Sequence, residues 1–141
     1  MLFHKYFAAF SFVALGLNLA PDNSVTITIE NIKNTNGTIQ IAIFDKSESF
    51  PKPGGEFKVA KYKIVAGQSQ FKIKDIPNGE YAIAIHHDEN SDGKMNTNLV
   101  GIPKEGYAFS KNFKPKFSAP KFSDCAIQIN NDQKMTVKMI Y

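Results

Sequence analysis

The stretch FKIKDIPNGEYAIAI, residues 71–85, decides the fold. Phe71 and Ile73 alternate with lysines, the mark of a strand with one face buried. Asp75, Ile76, Pro77, Asn78 and Gly79 then turn the chain, because proline cannot donate to a ladder and Asn and Gly tolerate positive φ. Tyr81, Ile83, Ile85 and His87 resume the period of two on one face, with Ala82, Ala84 and His86 on the other. Outward from this segment the same alternation recurs: Val25, Ile27 and Ile29, then Ile39, Ile41 and Ile43, then FKVAKYKIV, CAIQI, and finally Met135, Val137, Met139 and Tyr141. Asn36-Gly37 reads as a hairpin turn, and Asn131-Asp132-Gln133 as a tight turn joining the last two strands. Hairpin spacing throughout and no helical period predict an all-β fold, a seven-stranded antiparallel β-sandwich with one long irregular loop before the last two strands.

The strand, the Asp-Ile-Pro corner and the Gly-x-Tyr that opens the next strand resemble transthyretin-like (prealbumin-like) sandwiches and, more loosely, Ig-like ones. The resemblance implies that Tyr81 packs at the corner between the sheets. A chain of 141 residues can bury such a core as one domain without disulfides. The single cysteine, Cys125, falls in phase with Ile127 and Ile129 and reads as a small core hydrophobe rather than a nucleophile.

Residues 1–20 are of different material. Lys5 precedes an apolar run from Tyr6 to Val13 and then small residues, the layout of a secretory signal peptide and too short to span a bilayer. Cleavage after residue 16 fits the small-x-small rule best, and after residue 20 second, leaving a single domain over 21–141. The mature chain is therefore expected to be exported, periplasmic or extracellular, with no membrane span. All basic residues are lysines, with a net charge of +4. Phosphate and base recognition lean on the arginine fork, so nucleic acid is not an expected partner.

The segment 88–124 is too long for an ordinary connection and holds Tyr107, Phe109, Phe113, Phe117 and Phe122, so it is expected to fold back over the sheets and bury several rings. It begins HHDENSDGKMNTN. Asp88, Asn90 and Asp92 alternate, Gly93 follows, and Asn96 adds an oxygen, which is the opening of an oxygen-rich calcium loop. Leu99 stands where an EF-hand has its bidentate glutamate, so a calcium site needs another ligand, and Glu105 is the best-placed acid. The same residues also form Asx turns that cap a strand without any ion. Adjacent His86 and His87 point to opposite faces of a strand and do not converge on one ion. The simpler role is one histidine tying down the base of the loop. Ser110, His87 and Asp124 supply triad residue types without a nucleophile elbow. The lysines among Phe109, Phe113, Phe117 and Phe122 read as outward-pointing charges on a packed loop.

GTIQIAIFD, YAIAIHHDENSDGKMNTNLVGIPKEGYAFS and PKFSAPKFSDCAIQI together resemble a family of small secreted bacterial proteins catalogued as domain of unknown function 2141. The resemblance covers nearly the whole mature chain and implies a single exported sandwich, without an activity. Ala108 stands where the family pattern has glycine. The expectation is a non-enzymatic exported module whose 88–124 loop is the working surface, with calcium as its one candidate cofactor. Its partner would be an envelope protein, a surface polysaccharide or a small ligand. The alternative is a hydrolase-like enzyme using His87 with Asp88 or Asp92.

Overall fold

The computed structural model describes residues 22–141; the signal peptide expected over 1–20 lies outside the described residues. Among the described residues there are eight strands: β1 (Asn23–Glu30), β2 (Thr38–Phe44), β3 (Lys58–Lys63), β4 (Gln70–Ile76), β5 (Gly79–Asp88), β6 (Gly106–Phe109), β7 (Ile127–Ile129) and β8 (Gln133–Lys138). A 3₁₀ turn covers Ser110–Asn112, and α1 is a single helical turn at Phe122–Cys125. The strands form two sheets, β4-β1-β8 and β3-β2-β5-β6, with β7 also pairing with β5.

This corrects the expected seven antiparallel strands in two ways. The long segment contributes β6 as an eighth strand, and β1 pairs with β8 in parallel, Val25 opposite Gln133 through Glu30 opposite Lys138. Asn36-Gly37 does not close a hairpin, because β1 and β2 lie in different sheets. The turn at 131–133 likewise carries the chain from β7 on β5 to β8 on β1. Period-two alternation fixes which face of a strand is buried; it is blind to the neighbour and its direction.

Val25, Ile27 and Ile29 of β1 meet Ile39, Ile41 and Ile43 of β2 and Ile83 and Ile85 of β5 in one cluster, all at 2% exposure or less. Burying each such side chain contributes about 1.5–3 kcal/mol, so the shared core holds the two sheets together. Ala108 joins the same cluster, its methyl buried.

The corner at 74–79 is built by a bulge. Asn23 pairs with Ile76 and Val25 with Ile73, so two steps on β1 face three on β4. Asp75 takes up the extra residue at φ 59°, and Ile76 thereby returns to the core. Tyr81 is buried beyond the corner, and its hydroxyl donates back to the Pro77 carbonyl at 3.0 Å.

A second apolar cluster covers the other face of β5. Phe44, Phe50, Ala82 and Cys125 are buried there, with Phe109, Phe113 and Phe122 packed against them. The long segment does fold back over a sheet, although Phe117 is left fully exposed. Cys125 is core, as expected, but on α1 and in this second cluster rather than on a strand with Ile129. Burial pushes its thiol up to about 11.

Ser110 bridges a gap in the large sheet. The β6 ladder on β5 ends at Ala84–Phe109, and the β7 ladder starts at Tyr81–Ile127. Between them the Ile83 N–H donates to Ser110 Oγ at 3.0 Å, and the hydroxyl donates to the Cys125 carbonyl. Ser110→Ala leaves both groups buried without a partner, so we expect a loss of about 1–3 kcal/mol in urea unfolding at unchanged m. A loss below about 0.5 kcal/mol would show that the hydroxyl does not hold the gap.

Candidate functional site at the end of the large sheet

The β5–β6 register runs Ala84–Phe109, Ile85–Ala108, His86–Tyr107 and His87–Gly106. Continued by one residue, it sets Asp88 opposite Glu105, with His86 two residues back on the same face. The three side chains each offer a ligand atom, and these atoms lie within 4.8 Å of one another. His86 Nε2 is 2.8 Å from Glu105 Oε2. Asp88 and Glu105 are both buried.

Each buried carboxylate is held by donors of the loop it supports. Asp88 accepts from the backbone N–H groups of Gly93 (2.8 Å) and Asp92 (3.2 Å), and from Gln40 Nε2 on β2 (3.0 Å). Glu105 accepts from the N–H groups of Glu89 and Asn96, each at 3.1 Å. Gly93 makes the bend at φ 77°, as its place in the sequence suggests. The remaining candidate ligands form a separate, more exposed group. Asn96 Nδ2 donates to Asp92 Oδ2 (3.0 Å), and Asn90 Nδ2 donates to both Asp92 Oδ2 (3.2 Å) and Asn96 Oδ1 (3.0 Å). The Asp92 carboxyl is held below the usual carboxylate range, first by Asn96 and then by the Lys94 N–H.

The structure thus divides the expected calcium loop. Asp88 and Glu105 come together, while Asn90, Asp92 and Asn96 make a triangle beside them. It also adds His86, which a search for convergent histidines passes over. The signal was in the spacing: residues i and i+2 of one strand share a face. Two carboxylates and an imidazole suit a divalent cation of borderline softness, and the oxygens alone suit calcium.

His87 is fully buried on the opposite face. Its Nε2 lies 2.8 Å from the Asn36 carbonyl, which accepts, and its Nδ1 lies 2.7 Å from the Tyr141 hydroxyl. Both ring nitrogens are committed to these groups rather than to Asp88 or Asp92. Burial pushes the Tyr141 phenol up, while the N–H of Lys33, donating to its oxygen at 3.0 Å, acts the other way. Ser110, bonded to Ile83 and Cys125, is likewise not brought to His87.

Above the cluster the chain rises as a finger, residues 96–104. The Lys104 N–H donates to Asn96 O, Thr97 bridges Pro103, and the Asn98 N–H donates to Ile102 O. Asn98 Oδ1 accepts from the N–H groups of Val100 and Ile102, each at 3.0 Å, so the tip is pinned from inside. Leu99, Val100 and Ile102 stand outside it at 106%, 77% and 59% exposure. Two concavities, of about 520 and 460 Å³, are present among the described residues, one between the 28–35 and 64–69 segments at the finger's end of the sandwich and one beside Phe50 and Phe122. Neither is lined by His86, His87, Asp88 or Glu105.

No curated protein matches the chain. A family model matches residues 27–138, which takes in both sheets, the carboxylate–histidine cluster and the finger. The chain belongs to the family described as uncharacterized protein conserved in bacteria (DUF2141).

Proposed function

We propose that the protein is an exported, non-catalytic binding module on a transthyretin-like sandwich, with the 88–124 segment as its working surface. The observation that carries this reading is the finger, whose tip is pinned by Asn98 Oδ1 while Leu99, Val100 and Ile102 are exposed. Exposed apolar presentation of that kind suits contact with a partner. Envelope proteins, surface polysaccharides and small ligands remain the partner classes that export would bring within reach.

The reading includes a divalent cation at the base of the finger. Asp88 and Glu105 repel each other side by side, and a cation turns that repulsion into attraction. Calcium would draw on their oxygens and on those of Asp92, Asn90 and Asn96; a transition metal would add His86 Nε2. An extracellular-type site of about 10⁻⁴–10⁻³ M, filled tenfold over its dissociation constant, stabilises the fold by about 1.4 kcal/mol, a rise of roughly 5 °C in Tm. The test is a melt in calcium, zinc and chelator. Glu105→Gln is expected to abolish the shift; His86→Ala is expected to abolish a zinc shift and spare a calcium one. Identical melting in all three solutions removes the cation from the reading.

The hydrolase-like alternative has one observation in its favour, the His86–Glu105 contact, which supplies the imidazole–carboxylate pair that acid–base chemistry needs. It would run through His86 instead of His87, whose ring is committed elsewhere. Neither concavity is lined by His86 or Glu105, which weighs against it.

A further inference from the structure

Resting on the reading of the 88–124 segment as working surface, we propose that its partner is an anionic lipid surface. The finger dips Leu99, Val100 and Ile102 into the membrane interface, and Lys94 and Lys104 meet the headgroup phosphates.

Three observations favour lipid over a protein partner. The first is shape: exposed Leu99, Val100 and Ile102 crowd the end of one hairpin, whereas a stable protein contact takes about 800 Å² from each side. The second is charge. Lys94 and Lys104 are exposed at the base of the finger, and no acidic residue lies between them. Of the acids just below, Asp88 and Glu105 are buried and Glu89 accepts from Asn34, which leaves Asp92 as the exposed carboxylate beside Lys94. The third is length. Lys104 is four residues from Val100, which at strand rise is about 13 Å. Interfacial segments bury their apolar side about 5–10 Å deep, so an inserted tip leaves the lysines at phosphate level.

A neighbouring loop adds to the same end. Thr38 pairs with both Lys63 and Asp88, so the 64–69 connection leaves the sheets where the finger does. Val65 in that connection is 60% exposed.

The chain contains no tryptophan, so Leu99→Trp reports on the tip alone. Protein produced from the full sequence is mixed, in chelator, with vesicles of phosphatidylglycerol and phosphatidylcholine or of phosphatidylcholine alone. With anionic vesicles the Leu99→Trp emission shifts to the blue and is shielded from acrylamide; with neutral vesicles it changes little. Phe117→Trp, fully exposed beyond the far end of β6, stays in water. In co-sedimentation, Leu99→Asp with Val100→Asp lowers partitioning at least roughly tenfold, and Lys94→Glu with Lys104→Glu roughly thirtyfold. Both pairs lie at exposed positions, and their melts are expected to match wild type.

An unshifted Leu99→Trp overturns the proposal, whether the protein ignores lipid, meets a protein through the finger, or binds lipid through Phe117. A cation shift in the melt that survives such a failure leaves the binding-module reading standing. Finger insertion with a flat melt removes only the cation.

Discussion

Ile83→Asp leaves no folded protein at 25 °C, whereas Lys72→Asp unfolds within about 1 kcal/mol of wild type. Ile83 is completely buried at the centre of β5, opposite Ile43, in the cluster that both sheets share. An ionised carboxylate there loses its water and gains no partner, a cost of several kcal/mol after relaxation. The lost isoleucine packing adds about 2–5 kcal/mol. A domain's whole stability is about 5–15 kcal/mol, so the sum removes most or all of it. Lys72 is on β4 with its side chain in water, and the bond that Tyr62 makes there goes to its backbone carbonyl, which the substitution keeps. The Asp132 carboxyl, which accepts from the Ser24 N–H, loses a nearby positive charge, a small effect at the surface. Far-UV circular dichroism and urea unfolding of the two variants check the pair. Equal stability would mean that the faces of β4 and β5 are assigned wrongly.

The faces were legible because a half-buried strand writes them into every second residue. Val25, Ile27 and Ile29 are inward, and so are Ile39, Ile41 and Ile43, as their spacing predicts. The partners were not legible. Asn36-Gly37 favours a sharp reversal by its tolerance of positive φ, and that tolerance serves a crossover between sheets as well as a hairpin within one. The parallel β1–β8 pairing joins strands about a hundred residues apart, which no local pattern can report. At the site, Asp88 and Glu105 are legible from their oxygens, and His86 is hidden because adjacent histidines of a strand point to opposite faces and do not converge. Once β6 is known to lie on β5, the register delivers all three. The finger's exposed Leu99, Val100 and Ile102 were hidden differently: apolar residues in a loop read as buried until the fold shows that nothing covers them.

Gly37→Ala is expected to cost about 3 kcal/mol or more, and Gly67→Ala about 1–2 kcal/mol. Both glycines have positive φ, 67° and 81°, so both substitutions carry the strain of a Cβ in the left-handed region. Only Gly37 is also pressed against backbone. A Cβ there would stand 1.8 Å from the Asp88 carbonyl oxygen and 2.8 Å from the Glu89 carbonyl carbon, whereas at Gly67 it meets nothing within 4 Å. Backbone cannot rotate aside as a flexible side chain can, so the 34–37 turn has to withdraw from the end of β5. That turn carries the Asn36 carbonyl that His87 holds and the Asn34 amide that Glu89 accepts from. Withdrawal therefore breaks bonds on both sides of the clash, and each broken one adds about 1 kcal/mol. The same movement disturbs Asp88, so any cation-dependent rise in Tm should shrink in Gly37→Ala and persist in Gly67→Ala. Urea unfolding of both variants, each melted with and without calcium, separates the two contributions. Equal destabilisation would show that positive φ alone matters, and that the contact between the turn and Asp88 neither supports the fold nor positions the carboxylate beneath the finger.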